Sequence, residues 1–142
     1  MKNVILVLLL VLYVLILCRI DQPDLLLELK RRYEIIRTGL PEEDRWKLIK
    51  KHCAIITGTD EKTGIVGSNV NKGYEIYICL DGDDIKAAMY VFLHELAHLT
   101  VKEYDHSQKF WDNFKDLRGI CEHLDVYERV TQQQYCGETV KE

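Results

Sequence analysis

The sequence predicts a single domain of mixed helices and short strands behind a separate apolar segment. Three observations lead there. Apolar residues recur at helical spacing over Leu25–Ile36, Ile85–Leu99 and Phe110–Leu124. Tyr74 to Leu80 alternates instead, with Tyr74, Ile76, Ile78 and Leu80 on one face of an expected strand. Val4 through Cys18 is apolar without interruption. A chain of 142 residues suffices for one core but not for two. Its 47% hydrophobic and 30% charged residues are those of a globular protein. A net charge of -4 argues against a nucleic-acid partner, which would need basic surface to meet phosphates.

Residues 1–20 are expected to form a transmembrane helix, with a cleaved signal as the rival. In helical form Val4 to Ile20 reaches roughly 25 Å, short of a hydrocarbon core of ~30 Å, but Lys2 and Arg19 can snorkel to the two interfaces. No small-residue cleavage pattern marks the Leu15–Arg19 exit, which favours an uncleaved single-pass anchor. Arg19, Lys30, Arg31 and Arg32 on the carboxyl side lean the following domain, residues 21–142, toward the cytoplasm. The 5 cysteines form no C-x-x-C pair and read as free thiols, in keeping with that orientation.

After the segment, Asp21-Gln22-Pro23-Asp24 starts a helix that Gly39-Leu40-Pro41 ends. Pro41 and the acids Glu42, Glu43 and Asp44 suit the first turn of a second helix, with Trp46, Ile49 and Cys53 as its apolar stripe. Thr57 to Gly64 reads as a polar turn, and Ile65-Val66-Gly67 as a short strand. Asn71-Lys72-Gly73 is a turn before the alternating strand. Asp84 to Val101 is a helix apolar on nearly every side, so it should be central and buried. Asp105 is the expected cap of the last long helix, with Gln108 reaching back to it and Phe110, Trp111, Phe114, Leu117, Cys121 and Leu124 on its buried side.

Within the buried helix lies His94-Glu95-Leu96-Ala97-His98. Histidines four apart share one helix face, so their imidazoles can converge on one metal ion. Glu95, beside the first, can take the proton of a metal-bound water, the arrangement used by zinc hydrolases. Catalytic zinc normally takes a third protein ligand. His106 is the best candidate, with Glu103, Asp105 and Glu122 as carboxylate alternatives. Tyr104 and Asp105 are candidate partners for a ligand imidazole, and Tyr104 also for a developing oxyanion. His52 and His123 have no partner spacing. The alternating strand is read as a candidate edge for pairing with an extended peptide.

The stretch HELAHLTVKEYDHSQKFWDNF resembles the active-site segment of WLM-type metallopeptidases, relatives of the SprT-like group, and small forms from large DNA viruses in particular. The resemblance runs from about Gly73 to Gly137. It implies a zincin-like α+β fold, a small sheet packed on the active-site helix, with His94, His98 and His106 on Zn²⁺ and Glu95 as base. Common members carry Gly-Pro before the third histidine after a shorter loop; here Tyr104-Asp105 stand there. The astacin-like pattern does not apply, since no glycine follows His98 and no methionine lies beyond Met89. The expected activity is zinc-dependent hydrolysis of a protein or peptide substrate. The alternative is a non-catalytic, zinc-stabilised interaction module tethered to a membrane.

Overall fold

The computed structural model describes residues 2–17, 23–51, 55–73, 75–82 and 84–142. Helix α1 (Lys2–Leu17) is followed by α2 (Asp24–Gly39), a 3₁₀ turn at Asp44–Trp46 and the short α3 (Lys47–Lys51). Strands β1 (Ile55–Thr59), β2 (Gly67–Val70) and β3 (Glu75–Cys79) precede α4 (Ile85–Ala97), which tightens into a 3₁₀ turn at His98–Thr100. Helix α5 (Gln108–His123) and the hairpin β4 (Gln133–Tyr135) and β5 (Glu138–Val140) complete the fold. The architecture is α+β, as the sequence leads one to expect.

The sheet order is β1-β3-β2. β1 runs parallel to β3, with Ile56 opposite Ile76 and Gly58 opposite Ile78. β2 runs antiparallel, with Gly67 opposite Ile78 and Val70 opposite Glu75. Ile76 and Ile78 are buried, as the alternation requires. The alternating strand is therefore the centre of the sheet, and β1 and β2 are its edges. The parallel partner β1 includes Thr57–Thr59, which the polar composition marks as turn. Its pairing with β3 overrides that local preference; the turn is confined to Asp60–Gly64.

Helix α4 lies across this sheet and also meets α2 and α5. Asp84 starts it, its carboxylate accepting from the amides of Lys86 (2.8 Å) and Ala87 (3.3 Å). Ala87, Ala88, Met89, Val91, Phe92, Leu93, Leu96 and Ala97 are all buried, which accounts for its all-round apolar sequence. Each large side chain here stabilises the fold by roughly 1.5–3 kcal/mol. Leu26, Leu29, Tyr33 and Ile36 of α2 enter the same core, so α2 is built into the domain rather than attached to it.

Two expectations fail. Among the described residues no helix is long and apolar enough to cross a membrane. The 16 residues of α1 rise about 24 Å, less than the hydrocarbon thickness, so the single-pass transmembrane anchor is not supported. Residues 18–22, with Cys18, Arg19 and Ile20, lie outside the described residues. The cysteines also differ from expectation: Cys79 and Cys136 form a disulfide. Strand β3 ends at Cys79, and Cys136 opens the two-residue β4–β5 turn, Cys136 and Gly137 both having positive φ. Disulfides are rare where thiols are kept reduced, so the cysteine argument for a cytoplasmic domain is withdrawn. Cys121 is free and buried; Cys53 lies outside the described residues.

The hairpin is held at two further points, to the end of β3 and to the start of α4. Tyr135 donates to the Cys79 carbonyl, and Gln133 Nε2 donates to Asp84 Oδ2 at 2.7 Å. The disulfide spans 57 positions of sequence, enclosing α4 and α5. A loop of that length is worth on the order of 4 kcal/mol in chain entropy. Reduction, or Cys136→Ala, is expected to lower the thermal midpoint by several degrees. An unchanged midpoint, with two free thiols titrating at 79 and 136 in the oxidised protein, would refute the bridge.

Candidate metal centre

His94 sits in the last turn of α4, and His98 is the first residue after its α-helical part. The chain then leaves the helix through buried Val101 and returns over an exposed loop, Lys102 to His106. That loop brings His106 back onto the helix end. His106 Nε2 lies 3.0 Å from His94 Nε2 and 3.2 Å from His98 Nε2. The ligand atoms of all three lie within 4.8 Å of one another. Nitrogens at tetrahedral positions about 2.0–2.1 Å from a zinc ion stand roughly 3.3 Å apart, so the spacing suits such an ion.

The other sequence candidates are placed elsewhere. Glu122 pairs with Arg129 at 2.8 Å, in a cleft on another part of α5. Glu103 and Asp105 are not part of the histidine group. Asp105 does not cap α5: Ser107 does, accepting from the Phe110 amide at 3.3 Å, while Gln108 turns outward to Asp112. The shift of two residues frees the backbone before Ser107 to present His106. His123 accompanies the Gly119 carbonyl on exposed surface, and His52 lies outside the described residues.

Rings from α5 enclose the cluster. Phe110 lies 4.6 Å from the His98 ring and 5.0 Å from that of His94, centroid to centroid. Trp111, expected in the core, is 44% exposed, with its ring 5.4 Å from that of His106. It forms an outer wall of the site because it lies one residue, about 100°, round the helix from the buried stripe of Phe110, Phe114, Leu117 and Cys121.

Glu95 is 7% exposed and lines the same cleft of about 360 Å³ as the three histidines, Gly67, Ser68, Asn69, Lys72 and Tyr104. Burial raises its carboxyl from 4.5 to about 7. Burial, then the neighbouring imidazoles, pushes His94 down to about 4. His98 also falls to about 4, through burial, then His106 and Lys72. Imidazoles held neutral at physiological pH are the form that ligates metals.

Gly67 makes room for the carboxylate. A Cβ there would stand 2.5 Å from Val91 Cγ1 and 2.9 Å from Glu95 Oε1. Asn69, two residues on, donates from Nδ2 to the Glu95 carbonyl at 2.8 Å and accepts from the Gly73 amide at 2.7 Å. Thr100 and Asn113 add a buried link behind the histidines: Asn113 donates to Thr100 Oγ1 (2.9 Å), which donates to the Ala97 carbonyl (2.7 Å). None of these residues was singled out from sequence. Gly67 and Asn69 carry no motif, Thr100 and Asn113 are positions of the HELAH-bearing stretch to which no role was given, and only the fold brings all four to the site.

The model of the WLM domain family matches residues 42–142, well over half of the chain. The chain belongs to the WLM domain family. An uncharacterised protein of Acanthamoeba polyphaga mimivirus is 37% identical to this WLM domain over 83 residues, covering 51% of the chain and 42% of the viral protein. The chain thus spans less than half the length of the curated relative it matches. No solved structure matches it. The family is of metal-dependent, peptidase type, which agrees with a cluster of three histidines beside a buried carboxylate.

The opposed shifts at this site have a measurable consequence in metal-free protein. His94 and His98 fold with pKa values near 4, below the ordinary 6.5. Between those values the unfolded chain takes up protons that the folded chain refuses. Their contribution to stability is full above pH 6.5 and is lost as pH falls toward 4. Glu95 acts oppositely: its raised pKa contributes below about 4.5 and is lost as pH rises through about 7. Glu95→Gln removes the opposing slope. The chelated variant should therefore lose thermal midpoint more steeply than the chelated native chain as pH drops from 6.5 to 4. Parallel curves for the two proteins would show that Glu95 does not titrate upward.

Proposed function

We propose that this WLM domain is a zinc-dependent peptidase in which His94, His98 and His106 hold the ion and Glu95 is the general base. The convergence of three imidazole nitrogens beside a buried carboxylate, within one cleft, carries this reading. The ion, when bound, lowers the pKa of a coordinated water and polarises the scissile carbonyl. Glu95 accepts the water proton and passes it to the leaving amine. We assign the donor for the developing oxyanion to Tyr104, which lines the cleft. Phe110 and Trp111 limit water around the imidazoles.

Substrate binding is assigned to β2. Its outer edge is unpaired within the sheet, and Gly67, Ser68 and Asn69 line the cleft. An extended peptide added along that edge would gain backbone hydrogen bonds and pass the carboxylate of Glu95. This moves the peptide-pairing role from the alternating strand, which is central, to its neighbour. Residues 21–142 act as one unit in this reading, since α2 completes the core that supports α4.

The non-catalytic interaction module is the weaker reading. A metal staple needs the three imidazoles but not a carboxylate buried beside them at a cost in solvation. Glu95→Gln is expected to keep one zinc per chain and lose peptide hydrolysis by roughly 10²–10⁴-fold. His106→Ala should lose zinc under dialysis conditions that leave the native chain loaded. Hydrolysis by the Glu95→Gln protein at the native rate would remove the base from this scheme; unchanged zinc in the His106→Ala protein would remove the third ligand.

For α1 we propose association with a lipid surface. Val4 to Val14 are apolar and exposed on every side of the helix. The full chain should float with anionic–zwitterionic vesicles while a chain starting at Asp21 stays behind. Equal sedimentation of both would reject the assignment.

A further inference from the structure

We propose that Lys72 is a positioning residue for the loop that carries the third histidine, holding it in the shape that closes the metal centre. The inference rests on the proposed zinc site and goes beyond it, because Lys72 belongs to the turn between β2 and β3 and its hydrogen bonds go to backbone carbonyls rather than to a ligand nitrogen. Its ammonium donates to three carbonyls, those of His98 (3.4 Å), Val101 (3.1 Å) and Glu103 (2.6 Å). An ammonium has three donors, so the geometry accounts for all of them. The three acceptors are spread along the return path, from a ligand at the helix end to the middle of the exposed loop. The same ammonium lies 4.1 Å from the centroid of the Tyr104 ring, fixing the cleft wall beside His106.

The backbone around Lys72 is arranged to deliver it. Asn71, Lys72 and Gly73 have φ of 50°, 53° and 90°. Lysine seldom adopts this left-handed conformation. Here the turn is held by Asn69, which bridges the Gly73 amide and the Glu95 carbonyl. Gly73 itself packs so closely on Leu99 that a Cβ would stand 2.4 Å from Leu99 Cδ2. The β2–β3 turn is thus seated on the 3₁₀ turn after α4, and Lys72 reaches from it along the loop. Loop residues 102–105 are exposed and have no core packing of their own. Without the clamp, His106 would depend on a loose segment to find the ion.

The test compares Lys72→Met, which keeps the stem and removes the donors, and Lys72→Arg, which keeps charge and donors, with the native chain. Zinc release to excess chromophoric chelator should be at least 10-fold faster from Lys72→Met, the scale on which removing a group that holds a metal ligand in place weakens metal affinity. Lys72→Arg should recover part of that loss. In metal-free protein, amide exchange over 101–106 should accelerate in Lys72→Met while β3 and α5 keep native protection. Native zinc release together with native loop exchange would overturn the clamp. So would loss of protection throughout the domain in both variants, which marks an ordinary structural staple. A native chain that retains no zinc would instead overturn the metal site, and loop exchange in metal-free protein would still decide the role of Lys72.

Discussion

The geometric constraint on which the site depends is the meeting of His106 with the end of α4. Two histidines four apart come from helix geometry alone, but a helix offers no third ligand from the same face at usable distance. The chain must stop the helix, reverse and return within seven intervening residues. The tightening of α4 into a 3₁₀ turn at His98–Thr100, the buried stop at Val101 and the cap at Ser107 are the parts of that reversal. Each satisfies or buries groups that a broken helix would otherwise expose.

Much of the rest serves to hold the two sides of the reversal still. From β2 and the turn after it, Asn69 and Lys72 bond backbone carbonyls of α4, the following 3₁₀ turn and the loop. From α5, Asn113 bonds Thr100, and Arg45 reaches Asn113 and Asp116 in turn. At the opposite end of α4, the Cys79–Cys136 bridge and the Gln133–Asp84 bond fix where the helix begins. The helix carrying the motif is therefore fastened at both ends and packed along its length. This is the arrangement that a centre needing sub-ångström ligand placement requires.

The elements whose order depends on local periodicity were legible in the sequence. Helices α2, α4 and α5 and strand β3 follow from spacing, and His94, Glu95 and His98 from one pentapeptide. What could not be read there depends on contacts between distant segments. β1 is a strand because β3 lies beside it, although Thr57, Gly58 and Thr59 look like turn. β3 is central and β1 and β2 are the edges, an order of strands that is not encoded in the period of any one of them. Asp105 and Ser107 both suit a helix cap, and the placement of His106 over α4 favours the later one. Cys79 and Cys136 show no spacing signature, since a long-range bridge is defined by where two elements meet. Lys72 and Asn69 look like ordinary turn residues until that turn is seen against the end of α4.

The charge arrangement in the cleft suits a divalent cation. The fold lowers His94 and His98 and raises Glu95, each shift disfavouring charge in a buried place. Protonated imidazoles would repel one another at these distances, and neutral ones leave converging lone pairs without a positive charge to face. A divalent ion resolves both at once: it meets the lone pairs, and its field favours the ionised carboxylate that burial disfavours. A lysine at the same point would satisfy the carboxylate alone, and a fourth packed ring neither. Gly67, whose lack of a side chain keeps the space beside Glu95 open, fits the same demand. The carboxylate is kept close to the cluster yet free to face a molecule held there.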